Sequence, residues 1–403
     1  MWRTRGVLGV RTAAIASSTS RRKRQRSSAR SNAKRCAWGC ACTVCCAADL
    51  RLFNERRCDR GGVQAAAERC LPSWILPESR SWQGDSELFQ RHPGNPILTA
   101  ASWPYAAHTV FNPGATLLPP GETLLLVRVE DRRGISHLTA ARSLDGITNW
   151  QIDAQPTLSP SPDQYPEELW GVEDARIVYL APLDQYAVTY TAYSRAGPLV
   201  ALAMTSDFRS FERHGAIMSP EDKDAAFFPR QFGGRWALIH RPVPQAASAK
   251  ANMWLSFSPD LHNWGDHTVL LEARDGAWWD AGKIGLSPPP IETAEGWLIV
   301  YHGVRHTPAG ALYRVGLALL DLDDPRRVLH RGDEWVIGPR ERYEVTGDIP
   351  NVVFPCGAVT CDGELRLYYG AADTCLGLIT ARIADVLDWL RSQPSTPSDL
   401  ARD

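Results

Sequence analysis

No run of 18 consecutive apolar residues occurs in the 403-residue sequence, so a helix that spans a membrane is excluded. Charge of one sign is not in excess either. Lys and Arg number 44 against 45 Asp and Glu, a formal net charge of −1, which argues against a nucleic-acid surface spread over the whole chain. Two Cys-x-x-Cys pairs at zinc-finger spacing are lacking among Cys36, Cys40, Cys42, Cys45 and Cys46, and no histidine lies near them. A metal centre there is unsupported. No apolar core of secretory-signal length accompanies them, so a disulfide framework is unsupported as well.

What is present is divided unevenly. Residues 1–70 carry 16 Lys and Arg, four acidic residues and seven of the ten cysteines, with no acid before Asp49. The remaining residues carry 28 basic and 41 acidic side chains. The head lacks apolar periodicity of either 2 or 3.6 residues, so it has little to bury. Its Arg- and Ser-rich start suits a transit peptide, and the cluster Arg21, Arg22, Lys23, Arg24 and Arg26 suits a polyanion-binding tag. The expectation is a disordered or non-native extension over 1–72, a folded domain over 73–395 and a disordered tail over 396–403. Cys356, Cys361 and Cys375 read as thiols of a cytoplasmic protein.

The body is built on a repeat. One strand type recurs five times, at Thr123–Val129, Tyr186–Ala192, Arg235–Arg241, Trp297–Gly303 and Glu364–Gly370. Glycine-containing turns precede four of the copies, as antiparallel neighbours require. About 12 residues upstream of each lies a run that opens polar and turns apolar, beginning at Asn112, Glu173, Lys223, Lys283 and Asn351. A third run follows each hairpin. Three strand types recurring in order at intervals of 50 to 68 residues predict an all-β five-bladed β-propeller rather than a sandwich. Pro96–Ala100 is the expected closing strand. Val386, Leu387, Trp389 and Leu390 predict a short C-terminal helix over 383–392.

If the upstream strand of each blade is innermost, its polar start faces a central channel. Asn112, Glu173 with Asp174, Lys223 with Asp224, Lys283 and Asn351 then converge. The hairpin partners end at Arg128, Tyr190, His240 with Arg241, Tyr301 with His302, and Tyr369. Any one of these suits a solvated strand end; their mirrored placement in every blade points to a funnel mixing carboxylates with cations. That mixture suits an anion held beside a sugar. The ten histidines are scattered, and no metal is expected.

At these residues the sequence resembles glycoside hydrolase family 130, the β-mannoside phosphorylases and mannosidases. The segments carrying the resemblance are Asn112-Pro-Gly-Ala115, Leu125-Leu-Val-Arg-Val129, Gly171-Val-Glu-Asp-Ala-Arg-Ile177, Lys223-Asp-Ala-Ala-Phe-Phe-Pro229, His240-Arg-Pro242, Lys283-Ile-Gly285, Gly296-Trp-Leu-Ile-Val-Tyr-His-Gly-Val304 and Tyr368-Tyr-Gly-Ala-Ala-Asp373. Ala175 departs from the family, which usually has proline there; a rigid φ is lost but no reactive group.

The resemblance implies a propeller and inverting cleavage of a β-mannoside by inorganic phosphate, giving α-mannose 1-phosphate and a shortened acceptor. It implies Asp174 as general acid and Lys223, Arg241, Lys283 and His302 as the phosphate pocket. Asn112, Arg128 and Asp373 are the candidates for holding the mannosyl ring, since amide, guanidinium and carboxylate groups suit vicinal hydroxyls. Glu173 is a second carboxylate of interest. Tyr190, Tyr301, Trp103, Trp170 and Trp278 offer aromatic faces to the acceptor sugar, although packing within the blades suits each of them better. An inverting β-mannosidase and a sugar-binding propeller without catalysis are the alternatives. Expected partners are the mannoside and phosphate as co-substrate, with no resident cofactor, no nucleic acid and no membrane; a homo-oligomer is compatible with the reading.

Overall fold

The computed structural model describes residues 87–244, 249–308 and 310–393. The extension assigned to 1–72 and the tail assigned to 396–403 lie outside the described residues.

The described chain is almost entirely β-sheet. β1 (Gln90–Arg91) precedes the run β2 (Thr109–Leu118), β3 (Glu122–Glu130), β4 (Ser136–Ser143) and β5 (Gln151–Ile152). Next come β6 (Gly171–Leu180), β7 (Gln185–Ser194), β8 (Gly197–Thr205) and β9 (Glu212–Ala216). The third run is β10 (Asp222–Phe227), β11 (Trp236–Pro242), β12 (Met253–Ser258) and β13 (Gly265–Leu271). The fourth is β14 (Lys283–Leu286), β15 (Ile291–Thr293), β16 (Gly296–Thr307), β17 (Gly310–Leu320) and β18 (Val328–Arg331). The last is β19 (Val353–Cys361), β20 (Glu364–Ala371) and β21 (Cys375–Arg382), followed by helix α1 (Ile383–Ser392).

Within each run neighbouring strands pair antiparallel. The first two runs form one sheet, joined by a single parallel pairing of Ser136 with Gly171. The five copies of the recurring strand lie in β3, β7, β11, β16 and β20, with only Arg235 outside, one residue before β11 begins. The turns follow from local chemistry. Asp362 and Gly363 take positive φ of 49° and 78° and connect β19 to β20 through a two-residue loop, the conformation for which Asp-Gly is favoured.

The last sheet takes its outer strand from the N-terminal side. Gln90 and Arg91 pair with Thr380 and Ile379 on β21, while the expected Pro96–Ala100 contributes an isolated bridge from Leu98 to Leu376. Ile97 donates to the Leu376 carbonyl, but a 3-10 turn at Ala100–Ser102 ends the pairing there.

Apolar side chains fill the spaces between successive runs. Leu124 and Leu126 meet Val172 and Val188; Leu180 and Leu202 meet Phe227 and Leu238. Ile239 and Leu255 meet Ile284 and Ile299; Val300 and Leu317 meet Val353 and Leu367. A further cluster joins Leu125 and Val127 of β3 to Leu376 and Leu378 of β21. Burial of Val386, Leu387, Trp389 and Leu390 docks α1, and Trp389 lies where a side chain on Gly332 would stand, 2.5 Å from the missing Cβ.

Candidate active site

Three strands carry the same local device. Register breaks between Phe111 and Gly114 on β2, between Glu173 and Arg176 on β6 and between Lys223 and Ala226 on β10. Inside the breaks Asn112, Asp174 and Asp224 have φ of 46°, 50° and 55°. Asn and Asp tolerate this left-handed conformation better than other side chains with a Cβ. A bulge of this kind re-aims the side chain it carries. Here it turns three polar groups inward at corresponding places of three repeats.

The first two form a carboxylate region. Asn112 Nδ2 donates to Asp174 Oδ1 at 3.0 Å, and Arg128 donates to the same oxygen at 3.1 Å. Arg128 also reaches Glu173 Oε1 at 3.1 Å and bonds Glu130, with its guanidinium over the Phe111 ring. Asp174 Oδ2 accepts no hydrogen bond among the described residues. Burial would raise the Asp174 pKa, but Arg128, Lys223, Arg176 and the Asn112 amide together hold it below the ordinary value. Glu173 moves the other way, because burial and the Asp174 charge outweigh Arg128. Burial likewise pushes the Asp373 carboxyl up to about 7, against Arg128 and with Asp174 and Glu130. Asp373 occupies the turn between β20 and β21, where it and Ala372 both have positive φ. Gly370 is required beside it: a Cβ there would stand 2.0 Å from Asn112 Oδ1.

The second region is cationic. Arg241 Nε donates to Asp224 Oδ2 at 2.7 Å, and His302 Nε2 lies 3.4 Å from that oxygen. Arg176 approaches Asp224 Oδ1 at 3.7 Å. Its other donors go to the main-chain carbonyls of Asp174, Leu286 and Ser287, so it fixes the backbone of the bulge and not the Asp174 carboxylate. Lys223 faces Arg241 across the strand pair. Neither Lys223 nor Lys283 has a salt bridge among the described residues, and Lys283 rests over the Tyr313 ring. Burial and the charges of Arg241 and Lys223 bring the Lys283 pKa down to about 8. Burial brings His302 down to about 4, despite Asp224. Gly285 leaves room for this contact, since a Cβ would meet Asp224 Oδ2 at 2.5 Å and His302 Cε1 at 2.6 Å.

Glu173, Lys223, Arg241 and Lys283 line one cavity of about 660 Å³, with Tyr193 and His306 among its other walls. Asp174 is buried and is not among the residues lining it. Tyr190 and Tyr301 are directed elsewhere. The Tyr190 hydroxyl donates to Glu168 at 2.7 Å, and that of Tyr301 donates to Asp280 at 3.2 Å while its ring stacks on Trp279. Trp103 is buried, Trp170 packs against the ring of Tyr193, and Trp278 lines a second cavity.

Sequence reasoning left three parts without a role. Asp224 is the shared partner of the cations; its signal was an Asp at the bulge position of a third repeat. Asp222 accepts the Arg241 main-chain N–H and lies 2.6 Å from His240 Nδ1. Tyr193 forms a wall, with no motif to announce it. No group of three or more His, Cys, Asp or Glu side chains placed to hold a metal occurs among the described residues.

A sheet protein that sets a buried carboxylate beside a cluster of cations, two of them lysines without a salt bridge among the described residues, has the parts of an enzyme acting on a sugar and an anion. The chain belongs to glycoside hydrolase family 130: the family model described as beta-1,4-mannooligosaccharide phosphorylase matches residues 93–392. The beta-1,4-mannooligosaccharide phosphorylase of Ruminococcus albus is 32% identical over 318 residues, 77% of this chain and 92% of that protein. The beta-1,2-mannobiose phosphorylase of Listeria innocua is 38% identical over 256 residues, covering 64% of this chain and 69% of that one. A solved structure of the Listeria innocua beta-1,2-mannobiose phosphorylase, in complex with beta-1,2-mannobiose, superposes with a TM-score of 0.68. It is 30% identical and covers 75% of this chain and 99% of that one.

Proposed function

We propose that this chain is an inverting β-mannoside phosphorylase, with residues 73–395 as its catalytic domain. The observation that carries the reading is the cation set Lys223, Arg241 and Lys283 lining one cavity with Glu173. Desolvated positive charges in such number are costly without an anion to meet them. Phosphate supplies the nucleophile ready-made, whereas hydrolysis needs a carboxylate to activate water. The names of the relatives favour the same side.

Asn112, Arg128 and Asp373 hold the mannosyl ring, with Glu173 at its edge. Phosphate sits among Lys223, Arg241, Lys283 and His302, with His302 neutral and donating one hydrogen bond. A phosphate oxygen attacks the anomeric carbon on the α face. The bond to the leaving oxygen breaks, and that oxygen takes a proton originating on Asp174, relayed through a sugar hydroxyl. Without phosphate, Lys223 helps to keep Asp174 ionised. A bound dianion offsets that charge and lets Asp174 hold the proton it must give. Binding of the nucleophile therefore arms the acid.

The apolar clusters between successive runs, including the one from β3 to β21, support a ring of five blades. Phosphate is a co-substrate and no resident cofactor enters. The unpaired thiols Cys356, Cys361 and Cys375 suit a cytoplasmic setting. The test is incubation with β-1,2- and β-1,4-mannobiose, with and without phosphate. One mannose 1-phosphate and one mannose per bond, formed only with phosphate, are expected. Two mannoses per bond at equal rates in both tubes contradicts the proposal.

A further inference from the structure

On the phosphorylase reading, we propose that a second cavity, walled by Trp278 and Trp335, binds distant sugar residues of a longer β-mannoside.

The cavity of about 340 Å³ is lined by Trp278, Trp279, Arg305, Arg314, Asp333 and Trp335, among others. It backs onto the active-site cavity through two shared pieces of chain. Arg305 lines the second cavity and His306 the first. They are neighbours on β16, where successive side chains point to opposite faces. Similarly, Ala277 and Trp278 line the second cavity while Ala281 and Gly282 line the first. Their segment is pinned by Gly282 donating to the Val304 carbonyl and by Arg305 donating to the Ala277 carbonyl. The shared wall is thus a single ridge.

The two indoles are exposed yet held. Trp278 is 40% exposed and Trp335 41%. Arg274 lies 4.4 Å from the Trp278 ring centre and is itself fixed by the Gly332 carbonyl and by Asp333. Arg314 lies 4.7 Å from the Trp335 ring centre. Trp279 fastens the segment from below: it fills space left by Gly303 and Gly316, whose Cβ atoms would come within 2.5 and 2.4 Å of it. Rigid aromatic faces cost little to order on binding.

The polar groups suit sugar hydroxyls. Arg314 has no hydrogen bond or salt bridge among the described residues, and Arg305 spends one donor on Ala277. The remaining guanidinium donors are available beside Asp333 and Glu334 as acceptors. Flat aromatic faces together with planar donors and carboxylates match a pyranose, which is apolar on its ring faces and polar at its rim.

The experiment compares Trp335→Ala, Trp278→Ala and the double variant with the wild type, on mannobiose and mannohexaose of both β-1,2 and β-1,4 linkage. Binding of hexaose is also followed by tryptophan fluorescence. The wild type is expected to have a lower KM for hexaose than for biose. Each variant should raise the hexaose KM about tenfold while leaving KM for biose and phosphate unchanged. A tenfold change corresponds to about 1.4 kcal/mol of binding. Hexaose KM and binding unchanged in the double variant overturns the inference, as does an equal rise for biose and hexaose. A loss of self-association by sedimentation with unchanged hexaose KM assigns the patch to a second copy and overturns it too. Failure of the wild type to use either mannobiose or mannohexaose with phosphate is a different outcome: it removes the phosphorylase reading, and absent hexaose binding then removes this one.

Discussion

The two regions of the active site differ in how their charges are matched. In the carboxylate region Arg128 is bonded to Glu130, Glu173 and Asp174 together, and Asp373 stands nearby with its pKa pushed up to about 7. Negative groups are in surplus. In the cation region Lys223, Arg241, Lys283 and His302 gather around one carboxylate, Asp224. Positive groups are in surplus. On the proposed reading the first region positions a neutral sugar, and the second is complete only with an anion in place. That difference, rather than net charge, is what would distinguish a site for phosphate from a site for water.

The comparison can be broken most severely at Asp174. Asp174→Asn should lower kcat by about 10³-fold, the range expected for loss of a general acid, with phosphate binding by calorimetry retained. Loss of phosphate binding in this variant shows that the two regions are not separable. Gly370→Ala attacks the carboxylate region alone, since its Cβ would displace Asn112. It should lower kcat/KM for the mannoside by roughly tenfold, about 1.4 kcal/mol, and leave the phosphate KM unchanged.

The regions also titrate apart. Lys283 loses its charge as pH rises through about 8, so phosphate affinity should fall above pH 8 by up to about tenfold per unit. Binding isotherms from pH 7 to 10 check this. Asp373 acts on stability. Unfolded Asp titrates near 3.9, whereas the folded group titrates at about 7. Between these values the folded chain keeps a proton that the unfolded chain has lost, so stability falls as pH rises through this window. Asp373→Asn should therefore raise Tm by about 2–4 °C at pH 8, for roughly 1 kcal/mol. At pH 4 Tm should not move.

The parts of this arrangement were unequally legible in the sequence. The strands of each repeat were, because glycine turns and apolar runs recur at a fixed offset; β3, β7, β11, β16 and β20 match them closely. So was α1, through the spacing of Val386, Leu387, Trp389 and Leu390. Position along a strand does not reveal which face a side chain takes, because one residue of slip reverses it. Tyr190 and Tyr301, expected at strand ends, lie in the middle of β7 and β16, and their hydroxyls turn to Glu168 and Asp280. The bulges were equally hidden. They add one residue without altering the apolar pattern, and only the Asn or Asp at matching places of three repeats marks them. Arg176 stands in a motif of the sequence, yet its bonds run to carbonyls that no side-chain pattern encodes.

The central claim is that the surplus cations hold phosphate. Lys283→Met tests it most directly, because Lys283 has no salt bridge among the described residues to leave broken and its charge is already costly to bury. Steady-state kinetics with phosphate and mannobiose varied independently should show the phosphate KM raised about 10- to 100-fold, as for a charged hydrogen bond of 1.5–3 kcal/mol. The mannobiose KM should stay within about threefold of the wild type. An unchanged phosphate KM, or a mannobiose KM that rises as far as the phosphate KM, contradicts the account.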